Sequence, residues 1–322
     1  MAILRDGLWT HPAVQAWIEL RPATVTPESI MVLREHRESG VYRLVGVGPA
    51  GAAVIAKRCP YARAAIEREV YECILPHLPV TAPRYYGAWA VDGQSCWLFL
   101  EDVGEKRYSE SNMTHVVVTA KWLAQLHTSA ANHAAAHELP DGGPGRYLAH
   151  LCAGREMIRR RLSCPAFTPR DVTMLESIIL LQDLLESQWS RIEQCCVGLP
   201  ATLVHGDFQP QNVFVRGHGT GITCYPVDWE MAGWGVPAAD LTRIDVVAYW
   251  AATRDHWEGL DLDTVRRLAN VGQLLFTLAA IDWDSVRLQF ESPHALSRPL
   301  ASLQVLERRL ADAVRTAGVT DR

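Results

Sequence analysis

The chain is nearly devoid of lysine: among 322 residues it has only Lys57, Lys106 and Lys121, against 28 arginines. A lysine kept in an arginine-using chain is a candidate for a needed point charge rather than surface decoration. Other absences exclude whole classes of function. No run of about twenty apolar residues occurs, so no membrane-spanning helix or membrane partner is expected. The start, MAILRDGLWTHP, lacks a signal-peptide core. The eight cysteines form no C-x-x-C, and Cys195 and Cys196 are adjacent. Reduced thiols and a cytoplasmic location are therefore expected. His133 and His137 lie four apart with His127 upstream, but no acid or cysteine stands at ligand spacing. An alanine-rich segment with incidental histidines is the better account than zinc. A net charge of −5 supplies no general basic face for nucleic acid. Hydrophobic residues make up 48% of the chain, enough for two lobes, each with its own core. There is no internal repeat or low-complexity tract.

What is present centres on two stretches. HGDFQPQN at 205–212 sets a His, an Asp and an Asn in the order H-x-D-x-x-x-x-N, and VDWE at 227–230 adds a second Asp. A kinase-type loop uses this spacing to place a carboxylate beside an attacking hydroxyl and a metal on phosphate oxygens. NVFVR (212–216) and ITCYPVD (222–228) read as strands joined by the glycine-rich GHGTG. Folding about Gly219 or Thr220 sets Asn212 roughly opposite Asp228, where cross-strand Cβ atoms lie on the order of 5 Å apart. An amide oxygen and a carboxylate suit Mg²⁺, which completes its shell with water and phosphate oxygens. Asp207, at the mouth of the loop, is the candidate catalytic carboxylate. Gly206 permits the backbone turn that His205 and Asp207 flank.

The other half of such a site lies upstream. AAVIAKR (52–58) reads as a strand ending in Lys57. A helix follows, with Pro60 near its first turn and Pro76 at its end. Its apolar stripe is taken as Ile66, Val70, Cys73 and Ile74, which puts Glu69 on the core-facing side and leaves Glu67, Arg68 and Glu72 pointing elsewhere. A carboxylate on that side needs a cation, because an unpaired buried charge is costly. Glu69 is therefore the expected partner of Lys57, with Glu67 or Glu72 in its place only if the helix register slips. Ser39-Gly40, in REHRESGVYRLVGVG (34–48), is the expected turn over phosphates by position, since no G-x-G-x-x-G is present. CWLFLEDVG (96–104) reads as a strand running into a hinge, where backbone groups from Glu101 to Val103 would serve an adenine edge.

These parts together resemble the aminoglycoside phosphotransferase and choline kinase group of small-molecule kinases. The resemblance runs from about residue 30 to about 250 and rests on AKR with Lys57, EREVYECIL with Glu69, LFLEDVG, HGDFQPQN and VDWEMAGWGVPAADLT. It implies an α+β, bilobal protein-kinase-like fold. Residues 1–102 would form a small antiparallel-sheet N-lobe that binds nucleotide. Residues 103–322 would form a mainly helical C-lobe with the catalytic loop and substrate site. The resemblance also implies Asp207 as catalytic carboxylate, Asn212 and Asp228 as magnesium ligands, and Lys57 with Glu69 at the phosphates of ATP, or of GTP in its place. His205 becomes a structural loop residue and Asp240 a buried stabiliser of the catalytic region. The chain departs from the family pattern at Phe208-Gln209-Pro210-Gln211 and at Gly235-Val236-Pro237, which lacks the usual acid. Those departures bear on substrate identity. The HGD in place of HRD, and the absence of an A-P-E segment, speak against a protein kinase.

For the substrate the sequence offers acids and tryptophans. Eight acids fall between Asp228 and Asp263 against Arg243 and Arg254, with Asp282 and Asp284 beyond, and Trp234, Trp250, Trp257 and Trp283 share the region. A negative field with aromatic faces would favour a cationic hydroxyl compound such as an aminoglycoside or amino sugar. Glu230, Trp234, Asp245 and Asp282 are the candidate contacts. The arginine-heavy usage fits a GC-rich bacterial genome and a role in antibiotic resistance or self-protection. The alternatives are a metabolic kinase for choline, ethanolamine, homoserine or a sugar, and a nucleotide-binding pseudokinase. The last is disfavoured because Lys57, Glu69, Asp207, Asn212 and Asp228 are all present. A monomer and a homodimer are equally compatible with the sequence.

Overall fold

Short β-branched and aromatic runs in the first hundred residues form strands β1 (Ala2–Leu4), β2 (Ser29–Glu35), β3 (Gly40–Val45), β4 (Val54–Pro60), β5 (Tyr85–Ala90) and β6 (Ser95–Glu101). They make one antiparallel sheet in the order β1-β2-β3-β4-β6-β5. Register places Lys57 of β4 between Val41 of β3 and Leu98 of β6. Helix α1 (Pro12–Leu20) starts with His11 accepting from the Ala13 N–H and Pro12 at its first position, a favourable opening because proline has no N–H to satisfy. Its Ala13, Val14, Ala16 and Trp17 are buried against Tyr42, Trp97 and Phe99. Each such large apolar side chain contributes about 1.5–3 kcal/mol of burial free energy. The structure is a computed structural model and describes residues 2–22, 25–91, 93–131, 139–290 and 292–316. His133 and His137 lie outside those residues.

Helix α2 (Tyr61–Glu69) follows β4 directly, widens into a π-helical turn at Val70–Ile74 and tightens at Leu75–His77, where Pro76 sits. Then come α3 (Met113–Ala130), α4 (Pro144–Arg161), α5 (Pro169–Ser187), α6 (Trp189–Cys196), β7 (Thr202–Val204), β8 (Val213–Arg216), β9 (Thr223–Pro226), β10 (Gly233–Gly235), α7 (Val246–Thr253), α8 (Leu262–Ser285) and α9 (Pro293–Thr316). Thr168 and Asp171 form a reciprocal capping box at the start of α5, as the Thr-Pro signal implies. The apolar stripe of Leu175, Ile178, Leu185, Trp189 and Ile192 is buried, but it is shared by two helices that break at Gln188. All eight cysteines are free thiols. Among the described residues no helix is long and apolar enough to cross a membrane.

The chain divides into two compact units, the first holding residues 2–122 and 209–232, the second 123–131, 140–208 and 233–316. The first unit includes the β8–β9 hairpin as well as the six-stranded sheet. The β8–β9 hairpin returns to it through backbone bonds from Tyr108 N–H to the Val213 carbonyl and from Val215 N–H to the Lys106 carbonyl, both 2.8 Å. In the second unit, β7 pairs antiparallel with β10, and Trp234 of β10 exchanges backbone bonds with the segment leading into α4: Trp234 N–H to Pro140 O at 2.8 Å and Gly142 N–H to Trp234 O at 2.9 Å. This approach has no room for a side chain at 235, where a Cβ would lie 2.4 Å from the Gly143 nitrogen and 2.5 Å from the Gly142 carbonyl carbon. Gly235→Ala is expected to cost about 2 kcal/mol or more, read as a fall in thermal midpoint. An unchanged midpoint would contradict this packing.

Candidate active site

In the first unit, Lys57 is 6% exposed and Glu67 fully buried. Lys57 Nζ donates to Glu67 Oε2 at 2.6 Å and makes a short contact with Asp228 Oδ1. Glu230 Oε2 lies 3.6 Å from the same ammonium and its other oxygen 3.0 Å from Arg63, while Arg34 of β2 stands 4.0 Å from Asp228. The partner of Lys57 is therefore Glu67 and not Glu69, which is only half-buried. The buried stripe of this helix runs through Ala64, Glu67, Val70, Tyr71 and Ile74. Cys73 is exposed and Ile66 half-buried, so they do not mark the core face. Ala64, Glu67, Tyr71 and Ile74 are spaced three, four and three apart, so the period holds and the core face is turned from the one that Ile66 and Cys73 suggest.

Of the three carboxylates around Lys57, Glu67 is the fully buried one, while Asp228 and Glu230 keep 21% side-chain exposure and also face Arg34 and Arg63. Burial, and then the fields of Asp228 and Glu230, lift Glu67 to about 7 against the pull of Lys57. Burial pulls the Lys57 ammonium down, yet Glu67, Asp228 and Glu230 together carry it well above the ordinary lysine range. It stays charged.

Asp228 reaches Lys57 through its backbone, whose φ of 71° and ψ of 56° are left-handed. Aspartate tolerates this region better than most residues, yet a site in it is uncommon and strained. The hairpin register pairs Val213 with Pro226, and Val227 N–H donates to the Asn212 carbonyl at 2.9 Å. Asn212 thus faces Val227, one residue short of the expected opposition to Asp228. The turn takes up residues 217–222 rather than five residues.

Ser39 accepts from His36 N–H at 2.8 Å in the β2–β3 turn. Gly40 is needed for packing, since a Cβ there would lie 2.7 Å from the Tyr42 ring. At the end of β6, Glu101 N–H donates to Arg84 O at 2.8 Å. Arg216 donates to Glu101 Oε1 and the Asp102 carbonyl at 2.8 Å, and to the Val103 carbonyl at 3.4 Å. Arg216 carries no sequence signal for this contact.

In the second unit, β7 delivers His205, Gly206 and Asp207. From 202 to 209 every residue is buried except Asp207. The buried N–H groups of His205 and Gly206 need acceptors, and Asp240 supplies both, Oδ2 at 2.7 Å and Oδ1 at 2.9 Å. Gly206 adopts φ 77°, and Asp207 N–H donates to His205 Nδ1 at 3.3 Å. Fully buried His127 stands 3.3 Å from Asp240 through Nε2 and 2.8 Å from Tyr249 Oη through Nδ1. Burial, then the Asp240 charge, raises the Tyr249 phenol well above its usual range. Tyr249 therefore donates to Nδ1, and His127 donates its Nε2 proton to Asp240. From sequence His127 is one of several incidental histidines and Tyr249 carries no signal, yet both are fully buried beside Asp240.

The candidate substrate residues separate. Glu230 belongs to the first-unit charge cluster, and Trp234 is half-buried on β10. Asp245 is a helix cap, accepting from Val247 and Ala248 N–H at 2.8 and 3.0 Å. Asp261 caps α8 in the same way, and Asp255 and Asp263 pair with Arg254 and Arg266. Much of the expected negative field is therefore already engaged. Trp257 is buried, and Trp250 donates to the Leu260 carbonyl. Asp282 binds His150 at 2.7 Å.

The family model described as "Phosphotransferase enzyme family" matches residues 30–288. Among solved structures, the GDP complex of wild-type aminoglycoside 2'-phosphotransferase-IIIa aligns with TM-score 0.61 at 14% identity, covering 91% of this chain and 97% of that one. Spectinomycin phosphotransferase in complex with ADP and spectinomycin aligns with TM-score 0.59 at 11% identity, covering 93% and 98%. Choline kinase from Cryptosporidium parvum Iowa II aligns with TM-score 0.60 at 11% identity, covering 93% and 92%. No curated protein sequence matches the chain. At these identities the likeness is one of fold, α+β and protein-kinase-like.

The raised Glu67 carboxyl has a measurable consequence. Its folded value of about 7 lies above the ordinary glutamate value of 4.5, so its contribution to stability is fully present below about pH 4.5 and lost as pH rises through about 7. Within that window the native state holds a proton that the unfolded chain has released. The wild type should lose stability relative to Glu67→Gln by at most about 1.4 kcal/mol per pH unit, seen in thermal midpoints from pH 4.5 to 7.5. A relative gain with rising pH would contradict this reading of the cluster.

Proposed function

Because the chain belongs to the phosphotransferase enzyme family, we propose that it moves the γ-phosphate of ATP to a hydroxyl of a small cationic molecule of the aminoglycoside or natural-product kind. The observation that carries this reading is the convergence of Glu67, Asp228 and Glu230 on Lys57. Such a cluster holds an ammonium rigidly where phosphate oxygens can displace one carboxylate. Lys57 would keep Glu67 and bind the phosphates, as in kinase-type sites. The Ser39-Gly40 turn would cover them. The Glu101–Val103 segment would meet the adenine edge, with Arg216 giving up the Val103 carbonyl if that group is used.

Asn212 and Asp228 fit Mg²⁺. They offer a neutral oxygen and a carboxylate, and Asp228 already draws two cationic side chains, Lys57 and Arg34. Among the described residues no cluster of three or more His, Cys, Asp or Glu forms a self-sufficient metal cage. That agrees with Mg²⁺, which takes one or two protein ligands and fills its shell with phosphate and water. When bound, the ion would neutralise charge on the transferring phosphoryl group.

Asp207 is the residue this reading places at the acceptor hydroxyl. Its backbone is fixed through Asp240 and His205, while its side chain remains the accessible one of the loop. It would orient the hydroxyl and accept its proton as the phosphorus–oxygen bond forms. Replacing Asp207 with Asn is expected to lower kcat by about 10²–10⁴-fold, with ATP affinity changed less than threefold. The assay is ATP consumption over a panel of aminoglycosides, amino sugars, choline and ethanolamine, with product mass locating the added phosphate. Full turnover in Asp207→Asn would remove the residue from its role.

A further inference from the structure

In the second unit, α4 and α8 cross so closely that a Cβ on Gly154 would lie 3.0 Å from the Asp282 Cα. One turn back along α4, His150 Nδ1 meets Asp282 Oδ2 at 2.7 Å, with side-chain exposures of 17% and 16%. Aromatic rings surround the pair. Tyr147 lies 6.1 Å from the His150 ring, Trp283 6.0 Å from it at 83°, and Phe276 6.0 Å from Trp283 at 80°. Trp283 and Phe276 are half-exposed. Among the described residues the structure shows no hydrogen bond from His150 Nε2.

A helix staple needs only Nδ1. Once Nδ1–H is given to Asp282, Nε2 carries the lone pair as an acceptor, its ring held in one orientation by the carboxylate behind it. The start of α4 is also tied to the catalytic strand: Trp234 bonds to Pro140 and Gly142, and β10 pairs with β7, three residues before Asp207. The Tyr147 phenol is raised by burial and then by Asp240, Asp141 and Asp207, while Arg146 opposes them. Tyr147 therefore stands within electrostatic reach of the loop, and the His150 ring lies 6.1 Å from it.

We propose that His150, backed by Asp282 and walled by Trp283 and Phe276, is the acceptor-specificity contact of this enzyme, its Nε2 receiving an O–H or N–H hydrogen from a substrate group remote from the reacting hydroxyl. The aromatic faces suit the C–H face of a sugar or aminocyclitol ring, or an ammonium. A two-carbon amino alcohol carries one ammonium and no second hydroxyl to occupy such a remote contact. The contact thus selects an extended polyhydroxylated amine over choline or ethanolamine. The inference rests on the reading of Asp207 as the site of the reacting hydroxyl.

The test is steady-state kinetics with kanamycin, spectinomycin, choline and ethanolamine as acceptors. The wild type should prefer one of the first two. For that acceptor, His150→Phe should raise KM at least tenfold, with kcat and the KM for ATP each changed less than threefold. His150→Gln, which keeps an amide oxygen or nitrogen near the position of Nε2, should recover most of the loss. Calorimetric titration of the acceptor into Asp207→Asn with and without His150→Phe should show the same loss of affinity without turnover. An unchanged acceptor KM in a folded His150→Phe enzyme, or preference for ethanolamine or choline, overturns this assignment and leaves the kinase reading standing. A wild type that phosphorylates none of the four while hydrolysing no ATP in their presence overturns the functional reading, and this assignment with it.

Discussion

An ammonium outnumbered by carboxylates governs the first unit. Charge out of water must be compensated, and Lys57 at 6% exposure has to be met from more than one side. Glu67 comes from the helix that follows the lysine strand, and Asp228 and Glu230 from the segment after the β8–β9 hairpin. Asp228 takes a left-handed backbone to reach it, a cost of about 1–3 kcal/mol that the ion pair helps to offset. Two distant stretches of sequence are thereby locked to one nitrogen atom. Arg63 on Glu230 and Arg34 beside Asp228 add to the positive charge that meets these carboxylates.

A different device orders the second unit. There the problem is backbone N–H groups in a buried turn, solved by one carboxylate that accepts from two of them and is itself bonded by His127. A chain of donors from Tyr249 through His127 to Asp240 leaves each buried group with a partner. Chains of this kind in low dielectric hold a single geometry. Asp207, the one residue of the buried stretch 202–209 that keeps some exposure, is the residue the proposal puts at the acceptor hydroxyl.

Much of this was legible in the sequence. The hairpin, the lysine strand and the H-x-D-x-x-x-x-N loop each have a local signature, and local rules placed them. The failures have physical causes. The sequence favours Glu69 over Glu67 because Ile66 and Cys73 are apolar yet do not face the core. Asp245 and Asp261 were read as part of a substrate field, whereas both cap helices, a role that needs knowledge of where the helix begins. Arg216, Arg34, His127 and Tyr249 act through contacts more than a hundred residues away in sequence, or through strand pairing, and no local pattern announces them. The hairpin register missed by one residue because a turn length cannot be fixed from glycines alone.

Magnesium-dependent nucleotide affinity tests the central claim most directly. ATP binding to the wild type and to Asp228→Asn would be measured by calorimetry with Mg²⁺ and with EDTA. If Asp228 shares a cation with phosphate oxygens and otherwise rests on Lys57, Mg²⁺ should tighten wild-type binding at least tenfold and leave the variant nearly unchanged. Equal tightening in both proteins would show that the carboxylate gathered at Lys57 does not handle the metal–nucleotide, and the account built on that cluster would be wrong.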